Sequence, residues 1–243
     1  NLTSNDMHNV LKAIKKTIKE LRQTKDGTET KSAQRYFASI LDLLHNRILL
    51  LLIITTALRS IGEAGITEFL PLYLREDLGY SPVTVALILS ISQISGVISQ
   101  PVMGILSDKI GRKPVVVSGT ALTMLSGFAL SIVQPGVQLF TTVLVRGALT
   151  FSLHHIVVAA AIDAAQGATQ STVVALIYGS GLLGTFSPYV AGIISDRHGI
   201  QSAFLYGGII LIIPTILLLT AKASHSDHQG WATVVTSGAY PLH

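Results

Sequence analysis

The chain has 243 residues, 49% hydrophobic and 12% charged, with a mean hydropathy of +0.56. A soluble globular domain carries about twice that share of charge, so the composition excludes that class and points to a membrane protein. The basic excess lies in residues 1–47, which hold nine basic and five acidic side chains, as a cytoplasmic flank on a lipid bilayer would; it gives no sign of a nucleic-acid surface.

In chain order, residues 10–21 (VLKAIKKTIKEL) put Val10, Leu11, Ile14, Ile18 and Leu21 on one helical face with lysines around it. That pattern fits an interfacial helix on anionic lipid or a solvated linker helix. TKDGTETKS (24–32) reads as a flexible joint. Six apolar stretches follow, at 48–74, 82–106, 114–133, 137–162, 171–194 and 201–221. About 20 helical residues cross a bilayer, so each is expected to span one. Barrel strands would be about ten residues long and would alternate in polarity. The expected fold is therefore all-α, with six transmembrane helices over 47–222, a cytoplasmic segment over 1–46 and a tail without ordered elements over 223–243. His225, His228 and His243 of that tail lack metal-site spacing. No Met precedes Asn1, and the chain is expected to be part of a longer protein.

If both termini are cytoplasmic, thirteen of the 17 Lys and Arg residues fall inside, and only Arg75 and Arg197 fall outside. Arg59 and Arg146 lie within spans. The absence of cysteine suits a protein that needs no disulfide but leaves the compartment open.

GILSDKIG (104–111) returns 88 positions later as GIISDRHG (192–199), after three crossings, and so on the opposite face. The register extends upstream: Ser92 with Ser180, Gly96 with Gly184, Ser99 with Ser187. At an offset of 87, Thr55 matches Thr142 and Arg59 matches Arg146. Helices one to three thus recur as helices four to six, a 3+3 inverted repeat. In the first copy Gly104 is expected to let the second helix end against a neighbour. Asp108 is expected at the amino end of the third helix, in reach of Arg112, and Gly111 is expected to take the positive φ of a tight turn. Arg112 and Lys113 hold that turn in the cytoplasm, and Pro114 suits the start of the next helix.

With these residues in view, G-I-L-S-D-K-I-G-R-K resembles the signature of the major facilitator superfamily, G-x-L-x-D-[RK]-x-G-[RK]-[RK], found between helices two and three of each six-helix half. The ending G-I-I-S-D-R-H-G resembles a weaker pattern after the fifth helix of a half. The resemblance covers 47 to about 222 and, with a long basic segment before the first span, is to the carboxy-terminal half. E-F-L-P-L-Y-L-R-E-D-L-G-Y-S (68–81) is similar to drug- and sugar-efflux permeases, including the fosmidomycin-resistance type. The fourth helix departs from the family's R-x-x-Q-G: Arg146 is present, but Leu149 and Thr150 take the Gln and Gly places. The resemblance implies secondary transport of a small-molecule solute by alternating access, with efflux driven by a proton or other ion gradient. It also implies a missing amino-terminal half, or a second copy, as partner. Gly104, Asp108, Gly111, Arg112 and Lys113 would form a conformational latch.

Ionisable side chains at membrane depth cost about 2.5–3.5 kcal/mol each on insertion scales, so they mark cavities or internal pairs. Arg59, Glu63 and Glu68 lie in the first span and Arg146, His154 and His155 in the fourth. On helix one Thr56, Arg59, Ser60, Glu63 and Thr67 share a face, and on helix four Thr142, Arg146, Thr150 and His154 recur every four residues. These stripes are the expected cavity walls, with Arg59, Glu63, Arg146, Thr150, His154 and Gln93 as solute contacts. Arg59 and Glu63, at i and i+4, equally suit an internal ion pair. Glu68 is expected to be interfacial. The uncharged sixth helix, including Leu218, is expected on the lipid side. No nucleophile–base set, phosphate-binding Gly loop or metal spacing occurs, so neither an enzyme nor a cofactor or metal is expected. A non-transporting membrane receptor or partner subunit on the same fold, and a half-size transporter working as a dimer, are the alternatives.

Overall fold

The computed structural model describes residues 45–165 and 170–221. The amphipathic segment 10–21, the joint at 24–32 and the tail 223–243 lie outside the described residues. Six long apolar helices account for nearly everything described: α1 (Arg47–Asp77), α2 (Pro82–Ile110), α3 (Arg112–Ile132), α4 (Val137–Ala164), α5 (Gln170–His198) and α6 (Gln201–Thr220). Each is long and apolar enough to cross a membrane.

Local chemistry sets the ends and the irregularities. The Asn46 side chain accepts from the backbone N–H groups of Ile48 and Leu49 and caps α1. Its amide donates to the Ala164 carbonyl at 2.8 Å, joining the start of α1 to the end of α4. Pro71 has no N–H to give the preceding turn, and α1 continues from Tyr73 to Asp77 as a π-turn closed by Leu78 N–H on the Tyr73 carbonyl. In α5 a 3-10 stretch, Leu182–Phe186, precedes Pro188, whose ring disfavours an ordinary α-turn behind it.

The helices pack as the inverted repeat requires. The broadest interfaces are α2 on α4 and its repeat equivalent, α5 on α1; α6 on α1 corresponds to α3 on α4, and α3 also meets α6. The correspondence reaches single atoms. Ser99 Oγ donates to the Ala148 carbonyl at 2.8 Å, and Ser187 Oγ to the Ile61 carbonyl at 2.5 Å. Ser187 follows Ser99 by 88 positions and Ala148 follows Ile61 by 87, so one hydrogen bond is written twice. Ser92 and Ser95 extend the row on α4, donating to the Val143 and Leu144 carbonyls at 3.1 and 2.9 Å. Hydroxyls and small residues let helices approach closely in lipid, where apolar burial gives little drive. The α1–α5 approach depends on Gly184, where a Cβ would lie 2.6 Å from the Ser60 carbonyl oxygen.

The octapeptides fall differently from expectation. Helix α2 does not end at Gly104 but runs to Ile110, so Gly104 and Asp108 sit in its last turns, and a Cβ on Gly104 would meet nothing within 4 Å. A 29-residue helix is about 43 Å long at 1.5 Å per residue, more than the hydrocarbon thickness, so its polar end stands in water. Gly111 does take a positive φ, 95° with ψ 150°, and Gly199 repeats it at 87° and 161°. Pro114 occupies the third position of α3, still within the turn whose N–H groups lack helical partners.

The lipid-side placement of Leu218 is corrected: it is 3% exposed. Helix α6 lies against α1 and α3, and membrane interfaces between helices are apolar, so lack of charge does not single out the lipid face. The broad exposed apolar surfaces are on α2 (Val97, Ile98, Val102) and α5 (Leu182, Phe186, Tyr189).

Candidate functional site

Two arginines occupy the centre of the helix bundle. Arg59 is 2% exposed, and its Nη1 pairs with Glu63 Oε1 at 2.9 Å within α1, so the internal ion pair is formed. Arg146 on α4 is 4% exposed. Its Nη2 donates to the Glu63 carbonyl at 3.3 Å and to Thr67 Oγ1 at 3.4 Å. Arg59 Nη2 lies 3.5 Å from His154 Nδ1. A guanidinium only donates, so this contact calls for an Nδ1 without a proton. His154 follows Thr67 by 87 positions, so each arginine reaches across to the repeat-equivalent place on the other's helix. His154 also packs edge-on against Tyr178 of α5, centroids 4.7 Å apart. His155 points away, exposed, its Nδ1 2.9 Å from the Phe151 carbonyl.

A cavity of about 400 Å³ opens between α1, α2 and α4. Arg146, Thr150 and Gln93 line it, as expected, beside Thr67, Ser92 and apolar side chains including Leu89 and Phe151. Glu68 lines it too, exposed at its edge. Arg59, Glu63 and His154 are not among its walls. The polar stripe of helix one therefore divides: the Arg59–Glu63 pair is sealed in the packing, and Thr67 and Glu68 meet the cavity. The third wall, from α2, was represented in the sequence only by Gln93. Its Ser92 belongs to the repeat register, and the row Ser92, Ser95 and Ser99 is the sequence signal for this wall.

At the end of the bundle where α1 begins, Arg112 forms an ion pair from its Nε to Asp163 Oδ2 of α4, and Lys113 Nζ donates to the Ala221 carbonyl just past α6. A cation at a helix carboxyl end is favoured by the dipole. Asp108 does not pair with Arg112 and is exposed without a hydrogen bond among the described residues. The reason is placement: Asp108 is on α2, before the Gly111 turn, whereas Arg112 opens α3 beside the end of α4. The sequence signal for Asp163 is an acid in the last turn of a span that ends on the same side as Arg112.

A family model described as Major Facilitator Superfamily matches residues 52–236. The multi-drug resistance efflux pump PmrA of Streptococcus pneumoniae is 32% identical over 162 residues, 63% of this chain and 39% of the pump. Among solved structures, tetrameric PepTSo2 superposes with a TM-score of 0.64 at 13% identity, over 70% of this chain and 39% of that one. A peptide transporter POT variant crystallised with sulfate gives 0.60 at 17%, over 75% and 38%. These two share the fold. The chain spans less than half the length of the relatives it matches. Six apolar helices, a repeat legible in single hydrogen bonds, and a family model over most of its length make this multi-pass membrane protein a member of the major facilitator superfamily.

Proposed function

We propose that the chain is one half of a secondary active transporter, moving a small drug-like or sugar-like solute out of the cell by alternating access, energised by a proton or other ion gradient. One observation carries this reading: polar and ionisable groups from α1, α2 and α4 meet at a cavity between helices long and apolar enough to span a membrane, where a purely structural bundle has no use for them. The 32% identity to an efflux pump supports export. The uncovered apolar faces of α2 and α5 suit a second six-helix unit that completes the cavity, from the same polypeptide or as a second copy. Arg59, Glu63 and His154 act behind the cavity wall, holding Arg146 and its helix in place. The turn from Gly104 through Asp108 and Gly111 to Arg112 and Lys113 serves as the latch. Both termini are cytoplasmic and the membrane is the plasma or inner membrane, with 1–46 as a central-loop segment and 223–243 as a tail.

Reconstitution in liposomes with an imposed pH gradient, alone and with the complementary unit, tests this. The expected result is gradient-dependent flux of one or more solutes from a panel of dyes, sugars and organic ions, only with the second unit present. Flux from a monomeric chain would refute the half-transporter reading. An assembled protein that moves nothing under any gradient would favour a receptor or partner subunit on the same fold.

A further inference from the structure

The repeat writes its buried cation twice and its carboxylate once. Arg59 has Glu63 four residues on, and they pair at 2.9 Å. Moving 87 positions along, Arg146 replaces Arg59, and Thr150 stands where Glu63 stood. Among the described residues Arg146 makes no ion pair. The Glu63 carboxylate is paired with Arg59 and acts on Arg146 only through space, while the one hydrogen bond Glu63 accepts from Arg146 is at its backbone carbonyl. Glu68 is exposed at the cavity edge, where water screens it.

Of five buried side-chain donors left without a partner among the described residues, two, on Arg146 and Thr150, belong to residues of the cavity wall. Arg146 Nη1 is buried with no hydrogen-bond partner, and so is Thr150 Oγ1. The second is unusual for this protein. Thr56, Thr120, Thr123, Thr142 and Thr215 all return their hydroxyl to the carbonyl four residues back, at 2.7–2.9 Å. Thr150 does not, although the Arg146 carbonyl is there to take it. Thr55 shares this behaviour but does not line the cavity. A buried unsatisfied donor is costly, most of all a charged one. What both lack is an acceptor, and beside a guanidinium an anionic one binds most strongly.

We propose that the cavity between α1, α2 and α4 binds the oxyanion of an organic acid, a carboxylate or phosphonate, on Arg146 Nη1 and Thr150 Oγ1, in the place of the carboxylate missing from the second repeat. This rests on the transport reading for its purpose but not for its chemistry. A guanidinium presents parallel N–H groups that match an oxyanion. About 400 Å³ is enough for a small aromatic acid, with Leu89, Val143 and Phe151 against its ring.

The test uses the absence of native cysteine. Leu89→Cys in the full chain, in lipid nanodiscs, places one thiol in the cavity wall, and its alkylation rate is measured with benzoate, phenylphosphonate, benzamide or benzylammonium present. The expected result is protection by one or both anions, with apparent affinity about tenfold better than benzamide, and none by benzylammonium. Benzoate alone, or phenylphosphonate alone, identifies which oxyanion fits. Arg146→Gln should abolish the preference for anions, Arg146→Lys should keep it in weaker form, and Thr150→Val should reduce it. Equal protection by benzoate and benzamide, or an undiminished preference in Arg146→Gln, would overturn the proposal. The comparison among probes needs no Arg146 variant, so a variant that fails to fold does not rescue it. Protection is read without transport: anion binding by this chain with no flux once the complementary unit is present defeats only the transport reading, and flux of uncharged solutes by the assembled protein without anion binding defeats only this one.

Discussion

Gly184 and Gly96 are repeat-equivalent, yet what each faces differs. A Cβ at Gly184 would meet the Ser60 carbonyl oxygen at 2.6 Å, whereas at Gly96 it would meet Phe151 Cδ2 at 2.5 Å. Backbone inside a packed helix cannot step aside, whereas the Phe151 ring, 40% exposed, can turn outward and relieve Cδ2, leaving Phe151 Cβ at 2.8 Å as the remaining close contact. Gly184→Ala is therefore expected to destabilise the protein by about 1–3 kcal/mol, the range for overpacking, and Gly96→Ala by less. Unfolding in mixed detergent micelles would give the order, and the reverse order would show that Phe151 is held more firmly than its exposure implies. The same contrast separates what a sequence shows from what it hides. Small residues in matching register disclose the repeat, but nothing in the register says which glycine faces backbone.

At the scale of helices and their ends, Arg112–Asp163 joins the start of α3 to the end of α4, and Asp108 joins nothing described. The pair is partly exposed, so Asp163→Asn should cost no more than about 1 kcal/mol of stability, recovered in part by the exchanged pair Arg112→Asp with Asp163→Arg. Asp108→Asn should leave stability within about 0.5 kcal/mol, as surface changes do. If Asp108 latches against the complementary unit, its loss will show as slower turnover in the assembled transporter, with solute binding kept. Unchanged turnover at normal expression would remove it from the latch. The helices themselves were legible: uninterrupted apolar length and flanking charge placed all six spans within a few residues. Their ends were less so, because an octapeptide ending in Gly looks the same whether it forms a loop or the last turns of a helix projecting into water. The Arg112–Asp163 contact was not legible, since it depends on how far α4 continues beyond the bilayer.

For the whole molecule, the central claim is which faces meet water. Gln93→Cys, in the cavity wall, should react with a membrane-impermeant maleimide from one side of sealed vesicles. Leu218→Cys should not react, because it is buried. Ile213→Cys, 47% exposed on α6, should also stay unlabelled, because lipid covers it and thiolate does not form in hydrocarbon. Reaction at Ile213→Cys with silence at Gln93→Cys would place the aqueous path on the other side of the bundle. The sequence directed attention to helices one and four because charge at membrane depth is rare and conspicuous. It did not show that one arginine would have an ion pair and the other none, since that turned on Thr150, an inconspicuous residue until set beside Glu63 in the repeat.

Gly111 and Gly199 close two helices in nearly the same backbone geometry, yet only the first is followed by Arg-Lys; after the second come Ile200 and Gln201. Shape and address are thus spelled in separate letters. A stretch of chain that has to bend identically at two opposite surfaces leaves the bend to a residue with no side chain, which is indifferent to its surroundings, and entrusts sidedness to neighbours that can be exchanged without disturbing the bend. A repeated segment with that grammar can be turned over in the membrane and still fold, because the bend does not depend on which surface it meets.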